Sequence, residues 1–314
     1  MGLNVSCLSN STQMSDHIFE PILTKRTLNP EKALRCVIKI QSAWRGSRVR
    51  KYYRLKQLPD YRTPKSKLAE EQSGEYIYPE LKLKGTEINI PKRIHDGGAY
   101  LGEWVDKKRH GKGIQVWPDG SKYIGYWYND EKNFHGRLIH GNGDVYEGEW
   151  KNGKATGIGE FMHLNGARYV GEWLDDKQHG NGKEYWQDGA RYIGSFNEGK
   201  KHGLGEFYWS DGSFYKGEFC NNNIEGNGSY YWNDGRVYIG SWINNKMHGH
   251  GNFQWPDGKK FTGVYYQDKK HGQGVFRWPD GRVFMGNWNH GKQEGQGKFI
   301  FPNSVPQVSN AYIS

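Results

Sequence analysis

Histidines stand before glycines in a recurring His-Gly pair along the chain, among them His110, His135, His179, His202, His248 and His271. Imidazole is the commonest protein ligand for metals, so such a row invites a metal-site reading. The spacing argues against it. In units stacked as paired strands, equivalent atoms lie ~10 Å apart, whereas a zinc ion holds its ligands at ~2 Å. The histidines are therefore expected to hold loops, and no metal or cofactor is expected. The chain also contains no G-x-x-x-x-G-K-[ST] element, no kinase motif set and no G-x-S-x-G turn. No stretch is left over for a catalytic domain, so the reading is non-enzymatic.

The residues that do carry chemistry begin at the N-terminus. Met1-Gly2-Leu3-Asn4-Val5-Ser6 fits the pattern for myristoylation of Gly2, and Cys7 stands where a second acyl chain would be added. One myristoyl chain binds a membrane only marginally; a second signal, acyl or polybasic, makes the anchor stable. The alternative is an ordinary disordered N-terminus. Further on, Asn29-Pro30-Glu31 reads as a helix start, with Asn at the N-cap and Pro at the first helical position. The helical pattern runs to about Leu58, and Pro59 and Pro64 end it. Ile40 and Trp44 share a face, which Val37 extends. Arg45, Arg48, Arg50, Lys51 and Arg54 supply charge. Between Lys25 and Lys67 there are 14 basic residues against Glu31 and Asp60 alone. A basic amphipathic helix of this kind presents apolar anchors to a groove and cations to an acidic partner, or lies on an anionic membrane surface.

Within it, Ile40, Gln41, Trp44, Arg45, Gly46, Arg50 and Tyr53 resemble a complete IQ motif. The resemblance implies binding of calmodulin or a related EF-hand protein, with Gln41 bonding to the backbone of a calcium-free lobe. A basic helix held on lipid and drawn off by calmodulin would act as an electrostatic switch.

The elements that must position everything else lie downstream. Tyr-x-Gly-x-aromatic begins at Tyr100, Tyr123, Tyr146, Tyr169, Tyr192, Tyr215 and Tyr238, and with Phe at Phe261 and Phe284. These are nine copies with a period of 23 residues and no insertion. A fixed period of this size marks a repeat array. Asp119-Gly120 precedes Tyr123, and the same slot holds Asn142-Gly143, Asn165-Gly166, Asp188-Gly189, Asp211-Gly212, Asp234-Gly235, Asp257-Gly258 and Asp280-Gly281. Asn-Gly or Asp-Gly between aromatic-rich runs is a hairpin signal of type I′, in which both central residues take positive φ. Each unit is thus expected to be one β-hairpin, joined to the next by a longer loop such as Val105–His110.

Tyr169-Val170-Gly171-Glu172-Trp173, then His179-Gly180-Asn181-Gly182 and Asp188-Gly189, resemble the MORN (membrane occupation and recognition nexus) repeat. Departures are Tyr126, Ser195, Ser241, Val264 and Asn287 at the Glu position, and Thr156, Glu225 and Glu294 at the His position. The resemblance implies an all-β repeat array, an elongated single-layer antiparallel sheet of consecutive hairpins. It also implies a scaffold at membranes, cell cortex, cytoskeleton or cilia, with direct phospholipid binding by the repeats or a structural axonemal role as alternatives.

With a two-residue turn at Asp119-Gly120, Trp117 would pair with Lys122 and Val116 with Tyr123. The sheet would then carry Tyr123, Gly125 and Trp127 on one face. The other face would carry Phe161, Phe207, Tyr230, Phe253 and Phe276 with Trp117, Trp186, Trp209, Trp232, Trp255 and Trp278. The Tyr-x-Gly-x-Trp rings read as packing, with glycines leaving room for rings over the backbone. The Trp column reads as an elongated interaction groove for an extended peptide or helix. Cation–π partners for it are expected at Arg191, facing Trp186, and Lys260, facing Trp255.

The expected organisation is a disordered N-terminus (1–28), the IQ helix (29–58), a linker (59–80), a degenerate capping half-repeat (81–99), the array (100–301) and a tail (302–314). Of the net charge of +10, residues 1–99 carry +8 and the rest +2. The basic character thus belongs to the N-terminal arm, and neither nucleic-acid binding nor strong headgroup capture by the repeats is expected. Nothing approaches eighteen consecutive apolar residues, so no transmembrane helix is expected. Three scattered cysteines and no apolar leader point to a reducing, cytoplasmic setting at the inner face of a membrane, cortex or cilium. An open sheet also offers edges through which two copies would join as a homodimer.

Overall fold

The computed structural model describes residues 57–302, which fall in the second of the two units into which the chain divides, Gln57–Ser314. The second unit is one antiparallel sheet of 19 strands in which each strand pairs with the next in sequence. It opens with β1 (Thr86–Arg93), β2 (Ala99–Val105), β3 (Lys108–Val116), β4 (Lys122–Tyr128) and β5 (Glu131–Ile139), and closes with β19 (Lys292–Ile300). This is the all-β, single-layer hairpin array that the repeat predicts. Residues 81–99 supply β1 and a turn at Gly97, so β1 pairs with β2 and covers the first full unit.

The two kinds of turn exchange roles relative to the sequence reading. Val105 to Lys108 is the tight connection: Asp106 and Lys107 both take positive φ, 47° and 63°, the signature of a type I′ turn. Asn129-Asp130, Asn221-Asn222 and Asn244-Asn245 do the same. The Asp-Gly slot forms a three-residue loop instead. Gly120 N donates to Trp117 O (3.0 Å), Trp117 N donates to Ser121 O (2.9 Å), and only Gly120 takes positive φ. That is a type I turn closed by a glycine bulge. Asp119 Oδ1 accepts from Ser121 N at 2.9 Å and stiffens it.

The extra residue shifts the register by one. Val116 pairs with Lys122, Gln115 with Tyr123 and Gly113 with Gly125. A slip of one residue turns a strand's side chains to the other face. The column of Phe161, Phe207 and Tyr230 and the column of tryptophans therefore lie on the same face as the Tyr column, contrary to the two-faced aromatic sheet expected above. Their packing shows it: Tyr192 lies 6.4 Å from Phe207 and Tyr238 lies 6.4 Å from Phe253 between ring centroids. One aromatic face holds the core, and the opposite face is mixed.

The core is a herringbone. Tyr100, Tyr123, Tyr192, Tyr215, Tyr238 and Phe261 are fully buried. From Trp127 onward, each aromatic at the fifth position stands edge-on between two members of that column. Trp127, for example, is 5.1 Å from Tyr123 and 5.4 Å from Tyr100, near perpendicular to both. The Tyr hydroxyl donates to the carbonyl three residues on, as Tyr192 does to Ser195 O at 3.0 Å, where the register shifts and the ladder leaves that carbonyl free. The glycines are required by this ring: a Cβ on Gly205 would lie 2.3 Å from Tyr192 Oη.

Residues 59–80, expected to be a linker, lie against the opposite face of the first units. Thr63 caps a helix, α1 (Pro64–Ser73), its side chain accepting from Ser66 N at 3.0 Å, and Gly74 closes it in a left-handed conformation. Ala69 packs with Ile139 and Val145, all buried. Beyond α1 the chain continues along the sheet. Arg137 donates to Gly74 O (2.7 Å), Tyr76 Oη meets His135 Nδ1 (2.9 Å), and Tyr126 donates to Pro79 O (2.5 Å).

Candidate interaction surface

The Trp column sits beside the buried Tyr column, and Trp117, Trp186, Trp209, Trp232, Trp255 and Trp278 are all half-buried. From Trp186 onward they alternate with the neighbouring Phe/Tyr column in one unbroken ribbon. Trp186, Phe207, Trp209, Tyr230, Trp232, Phe253, Trp255, Phe276 and Trp278 follow one another at 4.4–5.6 Å between ring centroids. Trp278 continues to Phe299 at 6.3 Å. Towards the N-terminus the ribbon breaks, because Leu138, His140, His163 and Glu184 stand where rings stand later. Trp117 is thereby separated from the other five, and its indole donates to Asp96 Oδ2 at 2.8 Å.

Lysines reach this face from a position that the sequence reading passed over. Lys132, Lys201 and Lys270 are 69 residues apart, three repeats each time. Lys201 Nζ lies 4.8 Å from the Trp186 ring, and Lys270 Nζ lies 5.0 Å from Trp255 and 4.7 Å from Trp288. These replace the expected partners. Arg191 instead stacks on Tyr208 at 4.1 Å, on the other side of the sheet. Burial pulls Lys270 down to about 8, and pulls Lys132 down to about 8 against the opposing pull of Asp176. Their fixed period was the available signal. Burial pushes the Tyr hydroxyls of the core up from their ordinary value, Tyr100, Tyr146, Tyr192 and Tyr238 among them.

The glutamates of the Tyr-x-Gly-Glu-Trp motif point to the opposite face and hold the bulge. Glu149, Glu172 and Glu218 accept from Ile158 N, Asn181 N and Asn227 N at 3.0, 2.8 and 2.9 Å. In the unit that begins at Tyr123 the pattern gives way to the strap formed by residues 59–80. Tyr126 replaces the Glu and packs on Tyr78, 5.5 Å away. His135 falls out of the histidine slot, which Asn133 fills, and Phe134 takes the left-handed conformation (φ 65°) that glycine takes elsewhere. The other histidines line strand ends; His110 and His248 lie 5.1 Å from Tyr128 and Tyr266. Among the described residues no three His, Cys, Asp or Glu side chains gather to hold a metal ion.

Repeat period, turn pair and buried aromatic column decide the family: the sequence matches the MORN repeat at residues 100–122, 146–168, 169–191, 192–214, 215–235, 238–260, 261–281 and 284–304. The chain belongs to the MORN repeat family. The unit left unmatched is the one reshaped around Tyr126, Phe134 and His135, and its backbone still forms a hairpin in the sheet. Residues 34–54 match the IQ calmodulin-binding motif. The IQ positions Ile40, Gln41, Trp44, Arg45, Gly46, Arg50 and Tyr53 and the acylation positions Gly2 and Cys7 lie outside the described residues. No curated protein matches the chain. Among solved structures, the TCP domain of SAS-4 (dCPAP) of Drosophila melanogaster, in complex with a proline-rich motif of Ana2 (dSTIL), is 12% identical. That alignment covers 61% of this chain and 97% of the domain, with a TM-score of 0.31. The TCP10 domain of Danio rerio CPAP with a STIL peptide is 15% identical, covering 70% of this chain and 99% of the domain, TM-score 0.25. Virginiamycin B lyase of Staphylococcus aureus is 11% identical, covering 71% and 84%, TM-score 0.15. Likeness at this level carries no functional argument.

Proposed function

We propose that this MORN protein is a non-enzymatic scaffold whose aromatic face binds a protein segment and whose IQ motif recruits calmodulin or a related EF-hand protein. The observation that carries the reading is the ring ribbon from Trp186 to Trp278, whose five tryptophans are half-buried, beside a fully buried Tyr column. The buried column already supplies the core, so the outer ribbon leaves aromatic surface over for a partner, and such surface is enriched in binding sites. The basic arm around residues 34–54, together with Gly2 and Cys7, suits attachment to the cytoplasmic side of a membrane or to its cytoskeleton.

Calmodulin pull-down in EGTA and in calcium tests the arm, with the full chain and an Ile40→Glu/Arg45→Glu/Arg50→Glu variant. Binding in EGTA that the variant loses supports the reading; no binding in either condition overturns it for the arm. Liposome sedimentation of the acylated chain, with Gly2→Ala as control, tests attachment. Sedimentation that survives removal of residues 1–80 would favour direct phospholipid binding by the repeats instead.

A further inference from the structure

Among the cations that lie over rings of the aromatic face, four share one position of the repeat: Arg109, Lys132, Lys201 and Lys270. Three of them lie in the field of a carboxylate of the chain. Arg109 pairs with Asp130 at 3.1 Å, Lys201 pairs with Glu184 at 2.7 Å, and Lys132 feels Asp176. Lys270 is different. The position that is Asp130 for Arg109, 21 residues on, is Gly291 in its unit. The position that is Glu184 for Lys201, 17 residues back, is Phe253. Neither can supply an anion, and among the described residues no carboxylate lies within ion-pair distance of Lys270.

The ammonium is held by rings alone, Phe276 and Trp288 at 4.7 Å, Trp255 at 5.0 Å and Phe261 at 5.3 Å. It borders a depression of about 200 Å³ lined by Met247, Phe253, Trp255, Tyr265 and Gly291. Asp268 and Lys269 also line it. Asp268 is already engaged, accepting from Met247 N at 2.8 Å in the turn.

We infer that the segment bound on the aromatic face is an acidic one, and that it places an Asp or Glu carboxylate on Lys270 in this depression. The inference rests on the proposed function of the same face. A half-buried cation without a counter-ion gains when one arrives, and a carboxylate set among rings forms a charge-assisted bond partly shielded from competing water. The low proton affinity that burial gives Lys270 agrees with a site completed by an anion from outside. Lys201, which carries its own Glu184, needs none and accepts an apolar stretch of the same segment.

The test uses the full chain against a random decapeptide phage library, with selected peptides resynthesised and measured by fluorescence anisotropy. The expected binders share an Asp or Glu at one position. Its change to Asn or Gln weakens binding to the wild type about tenfold and leaves binding to Lys270→Met unchanged, while Lys270→Arg keeps the preference and Lys201→Met does not remove it. Peptides that lose affinity on Trp255→Ala but show no acid preference, or keep it on Lys270→Met, overturn the inference and leave the binding face intact. Peptides that are all indifferent to Trp209→Ala and Trp255→Ala remove the binding face itself, and the inference falls with it.

Discussion

In the first units Ile139, Val145 and Tyr126, on the face opposite the aromatic one, are 1%, 5% and 1% exposed beneath residues 59–80. In the later units the same face leaves Leu204 and Ile239 at 70% and 50%. The aromatic face runs the other way, broken by Leu138, His140 and His163 in the early units and continuous from Trp186 onward. One repeat thus serves two ends. The strap makes the early units a closed cap, as terminal repeats of an array require. The late units keep their tryptophans only half-buried, so stability is concentrated where the chain covers itself and binding surface where it does not.

The buried Tyr column is the one feature on which both regions depend equally, and breaking it should erase the difference between them. Gly113→Ala and Gly205→Ala each drive a Cβ to within 2.1 and 2.3 Å of a Tyr hydroxyl. Each should cost about 3 kcal/mol, at the upper end of overpacking. Since repeat arrays unfold as neighbouring units, urea titration should show a split transition for each variant, the early units melting first in Gly113→Ala and the late ones in Gly205→Ala. A single shared loss would mean the sheet behaves as one cooperative body.

Ala69→Asp separates the regions instead of equalising them. It sets an unpaired carboxylate against Ile139 and Val145, where Ala69 is 2% exposed, and a buried unpaired charge is expelled rather than tolerated. The strap should lift. Amide exchange should rise at least tenfold around Arg137, Ile139 and Val145 and stay unchanged around Phe253 and Phe276. A uniform rise along the array would show that the strap stabilises all units.

A contrast is also expected inside the late region. Tyr215→Ala empties the core and should cost about 3–5 kcal/mol, whereas Trp232→Ala removes a half-buried ring and should cost about 1 kcal/mol. If thermal melts show the two losses equal, the ribbon is core and the case for a binding face weakens.

The period, the hairpin count and the buried Tyr-x-Gly-x-Trp core were legible because each depends on local spacing. The faces were not, because they hang on one residue in the turn. Even so, the turn carried its own signal. Trp117-Pro118-Asp119-Gly120, Trp255-Pro256-Asp257-Gly258 and Trp278-Pro279-Asp280-Gly281 put Pro at the second place and Gly at the fourth, which is type I chemistry. Asn221-Asn222 and Asn244-Asn245 fit the positive φ of type I′. The strap was harder to see. Thr63-Pro64 repeats the sequence pattern of Asn29-Pro30, a capping residue followed by Pro, yet α1 buries only Ser66 and Ala69, so no apolar period marks it as packed. Lys132, Lys201 and Lys270 were visible only at a period of three repeats, and their surroundings only once the register was known.

The finest comparison is between Lys132 in the early region and Lys270 in the late one, and pH reads it. Both amines are pulled down to about 8 by burial, while in the unfolded chain a lysine titrates near its ordinary ~10.4. Between pH 8 and about 10 the unfolded state therefore binds more protons than the folded one, and stability should rise with pH. Above about 10 the core tyrosines act oppositely. Their folded values are raised, so the unfolded chain loses its protons first and stability falls. Urea midpoints across pH 7–11 should trace a shallow rise and then a steep fall. Lys132→Met and Lys270→Met should each flatten part of the rise and leave the fall in place. In Lys132→Met the flattening should follow the early transition, and in Lys270→Met the late one. A rise that survives both substitutions would show that neither amine is held at a lowered value.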